Sequence, residues 1–248
     1  MVGSLGVVKT VDAVQPWFPP IKTFEYFEDF IGSVPFPAAT GVAGGWKGVG
    51  DATYDVLAAA GSIGGQVQLT PETGSNNEVY MQLGEKGTET FIEYVKNSGK
   101  KSMVEFRIAA TSITNAANIL VGLAEEGAGV ANFIADAGDD IADKDFVGFG
   151  IWEGDPDALQ CLHQKAAGAL VDAGLAQVPV AGTFYDLAIM FDGKETVFYC
   201  VNDVVVQTAD LDTATFPTGE ELSPIIAIKN GAADGTLEID WIRMIAER

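Results

Sequence analysis

Residues 183–207, TFYDLAIMFDGKETVFYCVNDVVVQ, decide the fold. Apolar side chains alternate through Tyr185, Leu187, Ile189 and Phe191, the period-2 pattern of a strand with one buried face. Asp192-Gly193-Lys194 interrupts it with residues that tolerate the backbone angles of a tight reversal. Alternation resumes at Val197, Tyr199 and Val201, which puts Phe198 and Cys200 on the opposite face. Asn202-Asp203 supplies a second turn into Val204-Val205-Val206. Three strands packed this closely along the chain form a meander, with no room for a helix.

The same signals continue in both directions. Towards the C-terminus, residues 225–228 and 237–245 read as strands joined by a turn over 231–235. Towards the N-terminus, residues 146–152 (FVGFGIW), 119–124 (ILVGLA) and 104–108 are strands, as are the apolar runs within 78–96 and 54–71. FEYFEDF at 24–30 is the first strand. Residues 33–53, rich in Gly, Pro and Ala, read as a long surface connection anchored by Trp46. A Gly/Ala/Asp excursion over 125–145 is expected to hold a short helix at 129–137. Asp155-Pro156-Asp157 reads as a turn into a strand at 158–165, and Asp172-Ala173-Gly174 as the turn within 170–180. Short strands at nearly regular spacing predict an all-β antiparallel β-sandwich. Residues 25–248 form that single domain, and residues 1–24 form an irregular N-terminal arm.

Composition narrows the partners. Fourteen basic against 35 acidic residues give a net charge of −21, which repels phosphate backbones and anionic headgroups. Nucleic acid and membrane are therefore poor partners. The N-terminal residues lack the basic start and apolar run of a signal peptide, and no stretch approaches the ~20 apolar residues of a spanning helix. Synthesis in a cytoplasm is the expectation. Cys161 and Cys200 are too few for a disulfide framework; Cys200 reads as a small buried apolar residue, and the spacing leaves a bridge open.

Three stretches carry a resemblance: DLAIMFDGKETVFYCVNDVVV at 186–206, LSPIIAIKNG at 222–231 and LEIDWIRMIA at 237–246. They resemble the C-terminal half of the concanavalin A-like jelly roll, the superfamily of legume lectins, laminin-G-like modules and laminarinase-type hydrolases. The resemblance covers roughly residues 100–248 and implies a jelly-roll sandwich. VGLAEEG, ADKDFVGFGIW and FPTGEELSPIIAIKNG are in turn similar to jelly-roll structural proteins of tailed bacteriophages. That similarity implies a virion role, with the major capsid protein, other virion proteins and sister copies in a homo-oligomer as partners.

Laminarinase-type hydrolases use acids spaced along one strand face, with the carboxyl groups of a retaining pair ~5 Å apart. Here an E-x-D at Glu238-Ile239-Asp240 is followed by Trp241-Ile242-Arg243 and lacks the third acid, so the expectation is no enzyme and no catalytic residue. Legume lectins hold calcium with loop oxygens. The cluster Asp136, Asp139, Asp140, Asp143 and Asp145 is dense enough to raise calcium but lacks a calcium-loop spacing, and solvated loop acids are the plainer reading. Glu125-Glu126 and Glu220-Glu221 read the same way. His163, the single histidine, has no partnered nucleophile and reads as a strand residue facing a polar neighbour; two Cys and one His do not make a closed zinc set. Gly61-Ser62-Ile63-Gly64-Gly65 lacks a phosphate-loop lysine and reads as a turn.

Aromatics are the remaining clue to binding. Trp17, Phe18, Trp46 and Trp152 are candidates, while core packing is the favoured reading of Trp152 and Trp241. Trp17, Phe18, Pro19 and Pro20 are the named protein-interface residues, on an arm that either grips a neighbouring subunit or packs on its own sandwich. The leading expectation is a non-enzymatic virion structural protein, a capsid decoration or surface protein. The alternative is a carbohydrate-binding, lectin-like module, with or without calcium.

Overall fold

The computed structural model describes residues 23–30, 41–43, 45–50, 55–58, 65–84, 91–111, 117–130, 132–136, 139–153, 155–175 and 177–247. These hold seventeen strands and no helix. In chain order they are β1 (Thr23–Glu28), β2 (Gly41–Ala43), β3 (Trp46–Gly50), β4 (Asp55–Ala58), β5 (Val67–Thr70), β6 (Glu78–Leu83), β7 (Ile92–Glu93), β8 (Ser102–Ala110) and β9 (Ala117–Glu125). They continue with β10 (Phe146–Trp152), β11 (Asp155–Gln164), β12 (Val171–Gly174), β13 (Tyr185–Phe191), β14 (Thr196–Val201), β15 (Val204–Asp210), β16 (Glu221–Asn230) and β17 (Leu237–Glu247).

The meander forms as its pattern predicts. Asp192 Oδ1 accepts from the backbone N–H groups of Lys194, Glu195 and Thr196 at 2.7, 3.1 and 3.2 Å, closing the β13–β14 turn. Gly193 there has φ +77°. Asn202 and Asp203 both have positive φ (49° and 66°), the requirement of a two-residue reversal whose twist matches its strands.

All pairings are antiparallel. One eight-stranded sheet runs β15-β14-β13-β8-β17-β5-β4, with β1 beside the far end of β17. A nine-stranded sheet runs β12-β11-β10-β9-β16-β6-β3-β2, with β7 beside the start of β16. Between them lies the main core, built from alternate residues such as Val104, Phe106, Leu187, Ile189, Tyr199, Val121, Phe149 and Ile226. Burying a side chain of this kind contributes ~1.5–3 kcal/mol. The expected antiparallel sandwich is the observed fold.

Four local expectations are corrected. Residues 33–53 are not one surface connection: they contain β2 and β3, and Trp46 is buried with its indole N–H donating to Tyr26 Oη at 3.2 Å. The helix expected at 129–137 is absent among the described residues. Asn132 sits at φ +61°, which a right-handed helix does not accept, and Phe133 and Ile134 are fully buried against the nine-stranded sheet. Asp172-Ala173-Gly174 belongs to β12, an edge strand registered on β11 from His163↔Val171 to Gln160↔Gly174. An edge exposes enough backbone to carry Asp and Gly. The turn placed at Asp155 falls earlier, since Asp155 already pairs with Trp152.

Both cysteines are free and buried. Cys161 lies in the main core and Cys200 on the outer side of the eight-stranded sheet. Burial raises their thiols to about 12 and about 11, so both are held as unreactive thiols.

Candidate functional site: the outer faces of the two sheets

Strand alternation sends every second residue away from the main core, and the two sheets use those residues differently. On the nine-stranded sheet they meet a segment of the chain itself. Val49, Tyr80, Leu120, Phe146, Trp152, Leu162, Ile225 and Ala227 form a second core with Ala128, Phe133, Ile134 and Ile141 of the excursion between β9 and β10. An Ile134↔Ile141 bridge closes that excursion.

A buried charge pins it down. Lys229, with no exposed side-chain surface, donates from Nζ to Asp136 Oδ1 at 2.5 Å and to the Ile134 carbonyl at 2.8 Å. It also meets Glu78 Oε2 at 3.2 Å. Glu78 accepts from the Tyr80 hydroxyl and the Asn132 N–H. Burial, then the Glu78 charge, pushes the Tyr80 phenol well above its usual range. Gln82 takes the Gly129 N–H at 2.8 Å and donates to the Glu125 carbonyl and Ser223 Oγ at 2.8 and 3.0 Å. This face is closed.

On the eight-stranded sheet the outward residues make a floor and a rim. Met103, Met190, Ile245, Ala188 and Cys200 are buried there, with Phe198 packed against them. The register sets Phe27, Arg243, Glu105, Ala188 and Cys200 side by side across β1, β17, β8, β13 and β14. Glu105 is 3 % exposed, and among the described residues its Oε2 has no hydrogen-bond partner. Burial raises its carboxyl to about 7, with Asp186 and Asp203 adding to the shift and Arg243 opposing it.

At the β1/β17 side the face becomes aromatic and charged. Phe27 is 53 % exposed, and its ring lies 6.2 Å from that of Trp241. A bulge at Asp240 resets the register so that Trp241 stands opposite Arg107. Arg107 Nη1 donates to Asp186 Oδ1 at 2.8 Å and its Nε lies 3.0 Å from Asp240 Oδ2. The guanidinium carbon sits 5.3 Å from the centre of the Phe184 ring. Arg243 pairs with Glu25 at 3.1 Å.

The sequence-derived candidates distribute as follows. Trp17, Phe18, Pro19 and Pro20 lie outside the described residues, as do positions 61–64 of the glycine run. Trp46 and Trp152 are core residues, Trp152 donating to Gln160 Oε1 at 3.1 Å. Trp241, expected in the core, is instead half-buried on the outer face, directly after the bulge at Asp240. Phe27 was overlooked. Its signal, an aromatic on the acidic side of an edge strand, is present in FEYFE.

Asp240 is already bonded to a cation, and Glu238 faces out beside Ala109. His163 sits against Phe216 with Nε2 3.4 Å from Thr215 Oγ1, and burial lowers its pKa. Four of the five clustered aspartates have separate partners within the chain. Asp136 binds Lys229, Asp140 accepts the Ile141 N–H, Asp143 accepts the Ala167 N–H, and Asp145 accepts the Ala166 N–H. Among the described residues no three acids, histidines or cysteines gather in a way that would hold a metal ion. Asp139, Asp140, Asp143 and Gln164 line an open depression of ≈ 540 Å³ with no aromatic ring in its lining among the described residues. Glu125, expected exposed, is paired with Lys144 at 2.5 Å.

No family model and no curated protein sequence matches the chain. Solved structures do match its fold. The carbohydrate recognition domain of Emp46p, in metal-free form, superposes with TM-score 0.58 and 10% identity, covering 85% of this chain and 95% of that one. A potassium-bound form of that domain matches as well. SCLam, a non-specific endo-β-1,3(4)-glucanase of family GH16, gives TM-score 0.56 and 14% identity over 92% of this chain and 93% of its own. A Shewanella oneidensis protein of unknown function, SO2946, gives 0.55 and 14% over 91% and 87%. At these identities the likeness establishes the fold alone, an antiparallel jelly-roll sandwich of the concanavalin A-like type. The resemblance to virion proteins rests on the sequence motifs alone.

Proposed function

We propose that this chain is a non-enzymatic, glycan-binding jelly-roll protein that engages its ligand on the outer face of the eight-stranded sheet. The observation that carries the reading is the Phe27–Trp241 pair, half-exposed on a sheet face and flanked by Arg107 and Arg243. Aromatic faces carry negative potential that attracts the C–H edge of a sugar ring, and the adjacent polar groups bond its hydroxyls. The opposite sheet face is filled by the chain's own residues, so ligand contact falls to this one. The fold neighbours named for carbohydrate recognition and glucan cleavage agree with a glycan ligand. Binding is preferred to hydrolysis because the E-x-D carboxylate Asp240 is committed to Arg107.

The test is a glycan array with the full chain, followed by calorimetric titration of the best ligand. Trp241→Ala is expected to weaken binding at least tenfold, a loss of ~1.4 kcal/mol or more. Unchanged affinity in that variant, or no glycan bound at all, ends the reading.

A further inference from the structure

The guanidinium of Arg107 is built into the face in an uncommon way. Asp186 and Asp240 hold Nη1 and Nε from two neighbouring strands, and the Phe184 ring lies against the group. Its position is thus fixed on two edges. The third nitrogen, Nη2, has no hydrogen bond among the described residues, and the side chain keeps 34% of its surface exposed. In the strand register Arg107 stands opposite Trp241, whose ring pairs with exposed Phe27. An N–H donor fixed beside an aromatic platform is preorganised for a ligand oxygen and loses little freedom on binding.

The charge around it selects the ligand. Two carboxylates already balance the single positive charge of Arg107, and Glu25 balances Arg243. An anionic group brought to Nη2 would meet Asp186 and Asp240 at close range, in a chain whose net charge is −21. A hydroxyl accepts from Nη2 without that repulsion. We propose that Arg107 is the specificity-determining donor of this face and that the ligand class is neutral hexose glycan, excluding uronate and sulfated chains. This rests on the glycan-binding reading above.

The experiment titrates the full-length chain with a soluble neutral β-glucan, a mannan and a galactan, and with polygalacturonate as the anionic counter-probe. Wild type, Trp241→Ala, Arg107→Lys and Asp240→Asn are compared, with melting temperature recorded for each. The expected result is that wild type binds a neutral polymer and not polygalacturonate. Arg107→Lys keeps a charge for the two carboxylates but loses the planar donor, and should bind at least fivefold more weakly. Asp240→Asn removes one of the two carboxylates beside Arg107 and should raise binding of polygalacturonate relative to neutral polymer; no such gain overturns the charge-exclusion argument even if Arg107→Lys fails to fold. Loss in Trp241→Ala with wild-type affinity in a folded Arg107→Lys overturns the role of Arg107 and leaves the reading intact. Wild type preferring polygalacturonate overturns the ligand class. Binding of none of the neutral polymers removes the reading and the inference together.

Discussion

The two outer faces begin from the same strand alternation and end as opposites. On the nine-stranded sheet, Tyr80, Phe146, Trp152 and Ile225 are covered by Phe133, Ile134 and Ile141, and a buried lysine joins cover to sheet. On the eight-stranded sheet, Met103, Met190 and Ile245 form a floor that gives way to exposed Phe27, half-buried Trp241 and rim charges. A jelly-roll likeness therefore does not by itself say which face binds. In this chain the excursion between β9 and β10 closes one of the two, turning a potential surface into a second core.

The largest expected effect lies on the closed face. Replacing Lys229 by Met leaves Glu78, 2 % exposed, without its cation, next to the Tyr80 phenol. Removing one partner of a buried pair costs ~3–5 kcal/mol, because the remaining charge stays desolvated. Urea unfolding of Lys229→Met should show a loss of that size with ligand affinity unchanged in whatever fraction remains folded. A cost below ~1 kcal/mol, the range of surface pairs, would mean that the excursion is not clamped by this residue.

The next effect belongs to the floor of the other face and depends on pH. Glu105 titrates at about 7 when folded, against 4.5 for the unperturbed group, so the folded state holds the proton more tightly. Stability from this residue is thus fully present below pH ~4.5 and falls as pH rises through ~7. Arg243 opposes the shift only in part, being shared with Glu25 at 3.1 Å. Glu105→Gln should flatten the slope between pH 4.5 and 8 and raise stability at pH 8 by ~2–3 kcal/mol, followed as unfolding midpoints across pH. Parallel pH profiles for variant and wild type would show that Glu105 finds a solvating partner in the folded chain.

How much of this was legible in sequence follows from the range of each signal. The meander was readable because its turns are local: Asp192 caps three amides with one oxygen, and Asn202-Asp203 accepts two positive φ angles. The excursion misread as a helix was not, since Asn132 and Phe133 take their conformation from Glu78 and the Tyr80 ring, more than fifty positions away. Trp241 was misassigned for a related reason. One bulged residue, Asp240, shifts which side of the sheet every later side chain faces, and its carboxylate bonds Arg107 across the strands. Phe27 and Arg107 carry no motif. They become neighbours of Trp241 only through the pairing of β17 with β1 and β8.

The smallest expected effect on stability is also the sharpest test of the contrast between faces. Phe27 keeps 53 % of its surface in water and lies at the sheet margin, touching the Trp241 ring at 6.2 Å. Truncating it to Ala removes little buried area and opens no cavity, so the folded state should lose ~0.5–1 kcal/mol, the range of an exposed aromatic pair. A platform residue differs from a scaffold residue in what else it loses. Phe27→Ala should lower glycan affinity by about three- to tenfold at nearly constant melting temperature, since a stacked ring contributes on the order of 1 kcal/mol. Calorimetric titration beside differential scanning calorimetry separates the two quantities. A melting temperature that falls while affinity holds would make the Phe27–Trp241 pair a structural edge clasp, and the outer face of the eight-stranded sheet would then lose its claim as the binding surface.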